Sequence, residues 1–521
     1  MFLRSCCARL PNGFTLIAIV FLALNYLSPF GDLDFAWQIR TGALIVHTGD
    51  LRPAEAFSYT IPGAELPDFE WLYEVILWAF WTVLGHGGLK LLQTFLVFTP
   101  FCLLMWRLRT AGVRWHGIAL TLLTAVVVLS PAWNLRPLYC TSIGLLLVVG
   151  LLHDHCTGKR PLPWWLPLIM LLWANLHPGV ILGQAILLGA IAWEWLNRWV
   201  RLNVPLDPGR LRRLTVVGGL GLAATFLAPD PLERLLYPFR PELAHPIMRI
   251  FIEMQPLYSF LSKSVVTTVV PYVVAALVAL TLVLRFRAYR LWEVATLLGL
   301  AALANVAFRS LQDWLLVMLA LGVPHLAALL RQAAANRQRP WTARLLRLDC
   351  ACKRLFNSRL LRFQPAWLIA ALVALTALSL LPPVARRLPI SDGDQWPTGA
   401  VDHIEAKGLS GRFFGPPDYG AYLTWRLGER ARIYTDTRGF FFPPLLLEDS
   451  HFIPQLGPEW RRRLERVLDD YRTEYFLLET NGPRARLWQR LQPHLDSPPL
   501  YCDHLSVLLT AAQVRSGIAK F

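Results

Sequence analysis

Charged side chains are scarce in this sequence. Asp, Glu, Lys and Arg make up 17% of its 521 residues, whereas hydrophobic residues make up 55% and the mean hydropathy is +0.41. Apolar runs of about 20 residues, the length that crosses a hydrocarbon core, recur along the chain. These features exclude a soluble globular protein and predict a polytopic α-helical membrane protein.

Acidic residues are in deficit, with 35 Asp and Glu against 51 Lys and Arg, so the formal net charge is +16. Such an excess could indicate a nucleic-acid partner. Here, however, the basic residues form clusters between the apolar runs, the pattern that orients membrane proteins with basic loops on the cytoplasmic side. We therefore interpret the charge as topology and expect no nucleic acid as a partner.

The eight cysteines offer no disulfide framework. On the topology predicted below, only Cys502 lies in an exported aqueous region, where disulfides form. Cys350 and Cys352 form a lone CxC without a nearby His or second pair, which favours unpaired thiols over a metal site. A small-residue cleavage site is also missing after the first apolar run, so this run is predicted to stay as an uncleaved first span.

The positive-inside rule predicts eleven spans and a cytoplasmic N-terminus. A twelfth apolar stretch, residues 70–85, would turn Arg107, Arg109 and Arg114 outward if it crossed the membrane. It is therefore predicted to be a juxtamembrane helix. The predicted spans are residues 12–30, 88–106, 117–133, 138–152, 163–176, 178–197, 214–228, 264–284, 291–307, 311–330 and 366–384.

Two regions follow from this topology. Residues 1–384 form a transmembrane domain whose first exported loop covers residues 31–87. Residues 385–521 change character: 431–439, 473–480 and 504–511 resemble short strands, and 458–471 and 482–494 resemble amphipathic helices. We predict a small extracytoplasmic α/β domain there.

The exported loop opens with "GDLDFAWQIRTG", residues 31–42, in which Asp32 and Asp34 follow the first span directly. Asp34 could cap the next helix, but one cap does not need two aspartates. The DxD spacing could hold a divalent cation, Mg or Mn, or place one carboxylate beside a hydroxyl. These alternatives remain open at the level of sequence.

Arginines at the exported ends of spans are candidates for binding a phosphate. Arg136 in "NLRP" and Arg309 in "FRS" carry guanidinium groups, which bind phosphate bidentately, although arginines at span ends also snorkel. His177 in "NLHPG" could donate to a phosphate or end a helix. Three other residues of the exported loops are predicted to bind substrate, unless they simply face solvent: Glu70, Arg240 and Glu253.

The first exported loop contains the stretch "DLDFAWQIRTGALIVHTGDLRPAEAFSYT", and the segments "EWLYEVI", "NLRP", "LLWANLHPG" and "FIEMQP" follow it along the chain. Together, these segments resemble those of bacterial members of the GT-C glycosyltransferase superfamily. That superfamily includes aminoarabinose, protein-mannosyl and oligosaccharyl transferases. The resemblance covers roughly residues 12–330, and the sequence departs from it at Glu55, where Asp is common. It implies a GT-C-like fold and an essential aspartate in the first exported loop, which we assign to Asp34, with Asp32 as its alternative or its partner in binding a metal.

The resemblance also implies a function. Such enzymes use a polyprenyl-phosphate sugar as donor at the outer face of the membrane, so we expect a glycosyltransferase of the bacterial inner membrane. Its partners would be the lipid-linked donor, membrane lipids and an envelope acceptor such as a glycolipid, glycan or protein. The alternative is a non-catalytic protein of envelope assembly, such as a lipid-sugar flippase, a transporter or an inactive relative of the transferases. Charges gathered at one face favour the enzyme, because transporters place them near the midplane.

Overall fold

The computed structural model describes residues 33–65, 69–130, 134–261, 264–335 and 396–520. Several predictions fall outside these residues: the first and last spans, Asp32, and the CxC at Cys350 and Cys352.

The described part of the membrane region is almost entirely helical, because its apolar runs satisfy their backbone hydrogen bonds within each segment. The helices are α1 (Asp34–Thr48), α2 (Trp71–Thr110), α3 (Trp115–Leu129), α4 (Leu138–Cys156), α5 (Leu166–Leu176), α6 (Val180–Val200), α7 (Pro208–Ala224), α8 (Pro231–Leu236), α9 (Val265–Leu284), α10 (Leu291–Val306) and α11 (Leu311–Ala335). Residues 237–260 form a series of short 3₁₀ turns between α8 and α9.

Helix α2 is broken at Gly85, whose φ of 55° and ψ of −140° are not helical. Glycine tolerates this conformation because it has no Cβ. Residues 71–84 therefore form an arm that packs on α1, where a Cβ at Gly42 would lie 2.2 Å from the Glu74 carbonyl oxygen. The break agrees with a separate helix at 70–85, whereas its placement in the membrane interface stays a prediction.

Within the described residues, five helices are long and apolar enough to cross a membrane, and one bent pair would make a sixth. Nine of the eleven predicted spans each fall on one helix, but α3, α5 and α10 are shorter. At about 1.5 Å per residue, a helix of about 15 residues covers roughly 22 Å of a core about 30 Å thick. A multi-pass membrane protein is confirmed, and the number of eleven crossings stays a prediction.

The C-terminal unit is a five-stranded mixed sheet with helices around it, in the strand order β2-β1-β3-β5-β4. Strand β1 pairs in parallel with β2 and β3, whereas β5 pairs antiparallel with β3 and β4. The predicted strands and helices are present, and the unit contains two further strands, β1 and β4, and four further α-helices. The elements are α12 (Thr398–Ala406), β1 (Gly411–Phe414), α13 (Pro417–Leu427), β2 (Ala431–Ile433), α14 (Pro444–Gln455), α15 (Trp460–Asp469), β3 (Tyr475–Glu479), α16 (Arg486–Leu491), β4 (Tyr501–Cys502), β5 (Ser506–Thr510) and α17 (Ala511–Ile518).

The first loop joins this unit to the helical bundle. Ser58 forms a parallel bridge with Ile433 at the β2 edge of the sheet, and the Tyr59 hydroxyl lies 2.6 Å from that of Thr473. On the other side of the loop, the Arg40 guanidinium of α1 donates to the Trp425 carbonyl at 2.6 Å. The C-terminal unit is thus held against α1 and the loop that follows it.

Candidate active site

A cavity lies where the first loop, the helical bundle and the C-terminal unit meet. It contains about 1230 Å³ of space, including the part open to solvent. Its walls come from α1, residues 53–57, the starts of α2 and α4, the turn between α5 and α6, and residues 437–441. The predicted site residues that line it are Asp34, Glu70, Arg136, His177, Glu253 and Arg309.

Arg136 lies between two carboxylates of this cavity. Its Nη2 is 3.0 Å from Asp34 Oδ2, and its Nη1 donates to Glu253. Arg136 is placed by the turn before α4, where Pro137 takes the N-cap position. Of the alternatives open for Asp34, capping is not observed: Leu33 is the N-cap and Asp34 is the first helical residue. The Asp34 carboxylate is therefore directed to an arginine instead of to a helix end.

Arg309 lies on the short turn Phe308–Ser310, just before α11. Its guanidinium carbon is 5.5 Å from the centre of the Phe440 ring, a cation–π contact with the C-terminal unit. Among the described residues, no carboxylate lies within ion-pair distance of it, unlike Arg136. A half-buried guanidinium without a carboxylate partner can accept an incoming anion without first breaking an ion pair.

Glu70 and His177 form a second polar group in the wall. The Gln38 amide donates to Glu70 Oε2 at 3.1 Å, and His177 Nε2 is 3.5 Å from Glu70 Oε1. Because the Gly179 N–H donates to His177 Nδ1 at 3.1 Å, Nδ1 must be the acceptor and Nε2 must carry the ring proton. Burial, followed by the charge of Arg309, lowers the pKa of His177 to about 3. His177 ends α5, as predicted, and it is a neutral donor facing Glu70.

A buried ion cluster closes the cavity on the side of the C-terminal unit. Arg438 donates to Glu55 Oε2 at 2.5 Å and to Asp436 Oδ2 at 2.7 Å, and all three residues are buried. Glu55 also accepts the backbone N–H groups of Phe57 and Ser58, both at 2.7 Å. This cluster was missed in the sequence analysis, although "YTDTRG" is noticeably polar for a strand end. It fixes one wall of the cavity, because Glu55 and Arg438 line it.

Three wall residues carry polar atoms with no hydrogen-bond partner among the described residues: Trp37 Nε1, Gln38 Oε1 and Thr437 Oγ1. A buried polar atom without a partner costs about 1–3 kcal/mol. The rings of Trp37, Phe440 and Phe441 give the cavity aromatic faces, and the three buried atoms lie directly behind its lining. Such a surface suits a polyhydroxylated ligand.

Arg240 does not join this site. It pairs with Glu233 on the exposed surface of the same loop and does not line the cavity. The described residues contain no group of three or more His, Cys, Asp or Glu that could hold a metal ion. Asp32 lies outside those residues, so a cation held by Asp32 and Asp34 stays a prediction.

No known family model and no curated protein sequence matches the chain. Two solved structures of ArnT from Cupriavidus metallidurans are similar to it over nearly its whole length. ArnT bound to undecaprenyl phosphate matches with a TM-score of 0.52 and 14% identity, covering 96% of this chain and 98% of ArnT. Apo ArnT matches with a TM-score of 0.50, 13% identity and the same coverage. The chain thus shares the fold of these ArnT structures over nearly its whole length.

Proposed function

We propose that this protein is a membrane glycosyltransferase that moves a sugar from a polyprenyl-phosphate donor to a hydroxyl of an envelope acceptor. The observation that carries the proposal is the convergence of Asp34, Arg136 and Arg309 on one cavity. These residues come from positions far apart in the sequence. The fold of ArnT, whose solved structure holds undecaprenyl phosphate, supports the class of donor.

The chemistry requires one proton acceptor and cations near the leaving group. We assign the first role to Asp34: its carboxylate takes the proton of the acceptor hydroxyl as that oxygen attacks the anomeric carbon of the donor sugar. The bond between this carbon and the phosphate oxygen breaks, and its electron pair leaves with the lipid phosphate. Attack opposite to the departing phosphate inverts the anomeric centre. The Arg136 guanidinium stabilises the ionised form of Asp34, which a proton acceptor needs.

The two arginines act on the leaving group. Arg309 has no carboxylate partner among the described residues, and Arg136 presents a fork of donors that matches phosphate oxygens. Both can neutralise the negative charge that grows on the phosphate as the glycosidic bond breaks. The acceptor sugar or lipid headgroup would lie beside this phosphate site, against Trp37 and Thr437.

The proposed orientation places this cavity at the outer face of the inner membrane, with the C-terminal unit outside the cytoplasm. The positive-inside rule supports it, because the basic loops then remain cytoplasmic. A donor lipid could enter from the outer leaflet, while a water-borne acceptor could reach the cavity from the C-terminal unit.

The function is tested with purified full-length protein in lipid, given a panel of radiolabelled polyprenyl-phosphate sugars and extracted envelope acceptors. Wild type should transfer label from one donor, and Asp34→Asn should reduce turnover at least about 100-fold while still binding the donor, since a general base contributes about 10²–10⁴-fold. Asp50→Asn is the matched control, because Asp50 is exposed and accepts the backbone N–H of the nearby Arg52. Turnover that survives Asp34→Asn at the wild-type rate would defeat the catalytic assignment.

A further inference from the structure

The Glu253 carboxylate occupies a place suited to an anion from a ligand. It accepts a hydrogen bond from Arg136 on the inner face of the cavity, where its side chain is 24% exposed. Burial alone would raise its pKa, but the charges of Arg136 and then Arg309 outweigh burial and lower the pKa of Glu253 below its usual value. Glu253 is thus ionised, and the charges that keep it so belong to Arg136 and Arg309, the two arginines that we propose bind the donor phosphate.

The backbone around Glu253 is anchored beside Arg309. The Gln255 carbonyl accepts the Phe308 N–H at 2.8 Å, and the Phe260 and Phe308 rings lie 4.7 Å apart. Phe251 packs so closely on Gly439 that a Cβ added to Gly439 would lie 2.4 Å from the Phe251 ring. Residues 246–260, which we call the cover segment, are therefore held between the turn carrying Arg309 and the loop that forms the C-terminal wall.

The neighbouring surface is apolar and outward facing. Leu232, Leu236, Phe239 and Ile252 each expose more than 60% of their surface, which is unusual for side chains in contact with water alone. Such residues suit contact with lipid. A lipid-borne phosphate arriving at this level would therefore meet the cover segment and the carboxylate it carries.

We infer that Glu253 is an internal competitor for the donor: its carboxylate holds Arg136 until the phosphate ester of a polyprenyl lipid displaces it. This inference rests on the proposed function and adds a residue that sets the affinity for the donor. Asp34 keeps its contact with Arg136 Nη2 when Glu253 is displaced, so only Nη1 loses its partner. An oxygen that carries negative charge restores the charge-assisted hydrogen bond at Nη1, whereas a neutral hydroxyl does so much less well. The site therefore rejects a polyprenol that lacks phosphate, in addition to binding the phosphorylated lipid.

The inference is tested by measuring the binding of a short-chain polyprenyl phosphate to full-length protein in nanodiscs. Glu253→Gln removes the charge and keeps the shape, so it should tighten binding by up to about fivefold, the upper range of one partly exposed ion pair. Glu253→Ala should do the same, which separates an effect of charge from one of a new amide contact. Glu233→Gln is the matched control, because Glu233 pairs with Arg240 outside the cavity, and its affinity should equal that of wild type.

Two further ligands make the outcome specific. The affinity for the corresponding polyprenol should not change in Glu253→Gln. If inorganic phosphate competes with polyprenyl phosphate better in Glu253→Gln than in wild type, this result supports the inference with phosphate alone as the recognised group. Tighter binding of the lipid without better competition by inorganic phosphate would support the inference with the lipid phosphate ester as the recognised group.

Unchanged or weaker binding of polyprenyl phosphate by both Glu253 variants would overturn the inference. The proposed function would still stand in that case if wild type binds the lipid and Arg309→Gln weakens this binding. Conversely, no binding of polyprenyl phosphate to any form of the protein would remove the proposed function itself.

Discussion

Arg438 of the C-terminal unit donates to both carboxylate oxygens of Glu55 in the first loop, at 2.5 and 3.2 Å. The two residues are separated by 383 positions, and both line the cavity. Asp436 pairs with the same guanidinium. Both the cavity wall and the attachment of the C-terminal unit therefore depend on the buried Arg438 side chain. The C-terminal unit is therefore part of the candidate site, because it contributes one wall of the cavity.

Removing Arg438 should destabilise the protein strongly. Arg438→Ala leaves the Glu55 and Asp436 carboxylates buried without their cation, which costs on the order of 3–5 kcal/mol. The expected result is a clearly lower midpoint of thermal unfolding in detergent. The matched control is Arg426→Ala, because Arg426 pairs with Asp402 and Glu405 at the surface, where ion pairs contribute about 0–1 kcal/mol.

A compensating variant distinguishes lost charge balance from lost packing. Replacing the cluster with uncharged side chains, Glu55→Gln, Asp436→Asn and Arg438→Met together, should recover most of the stability that Arg438→Ala loses. If Arg438→Ala and Arg426→Ala shift the midpoint equally, the cluster does not hold the C-terminal unit in place.

Arg309 should control the affinity for the donor. Arg309→Gln removes a guanidinium that has no carboxylate partner among the described residues, so its main effect should fall on ligand binding and not on folding. A hydrogen bond to a charged group contributes about 1.5–3 kcal/mol, so the KM for the polyprenyl-phosphate donor should rise about 10- to 100-fold. Arg309→Lys should restore part of the affinity, because an ammonium keeps the charge but not the planar fork.

Arg240→Gln is the control for this experiment. Arg240 comes from the same loop system but lies outside the cavity, paired with Glu233. Its KM for the donor should match wild type. An equal increase of KM in both variants would indicate a general effect of surface charge on lipid recruitment instead of a phosphate contact by Arg309.

Much of the helical architecture could be predicted from the sequence, because apolar runs and basic loops are strong local signals. The predicted span 264–284, for example, differs from α9 by one residue. The strands β1 and β4 could not be predicted in this way. They contain four and two residues and no polar–apolar alternation, so their pairing with distant strands decides their conformation.

The site was predictable only in part, for a related reason. Polar residues next to span ends, such as Asp34, Arg136 and His177, stand out because charge there is costly. Sequence does not show toward which side of a turn a residue points, so Arg240 and Glu253 looked equivalent although only Glu253 faces the cavity. The pairing of Glu55 with Arg438 joins two separate regions of the chain, and no local pattern records such a contact.

Acid should destabilise the protein through His177. Burial and then Arg309 lower its pKa from the ordinary value of 6.5 to about 3. Between these values the unfolded chain binds a proton that the folded chain does not, so the free energy of unfolding falls as pH falls, by up to about 1.4 kcal/mol per pH unit. His177→Gln should therefore show a shallower loss of thermal stability between about pH 6.5 and 5 than wild type.

The exposed residue His47 provides the comparison. His47→Gln makes the same substitution at an exposed position, and its unfolding midpoint should follow pH as that of wild type does. Parallel pH curves for wild type and His177→Gln would contradict a neutral, buried His177.

The proposed orientation predicts opposite labelling of two positions. Cys502 is exposed on the C-terminal unit, so an impermeant maleimide should label it in intact spheroplasts if that unit lies outside the cytoplasm. A cysteine introduced at the exposed Thr157, just after α4, should be labelled only after the membrane is permeabilised, because the basic residues Lys159 and Arg160 hold this turn on the cytoplasmic side. The second test uses a background in which all eight native cysteines are replaced by serine, which removes the competing signal. Labelling of Thr157→Cys in intact spheroplasts together with protection of Cys502 would invert the topology, and the cavity would then face the cytoplasm, where an exported acceptor could not reach Asp34.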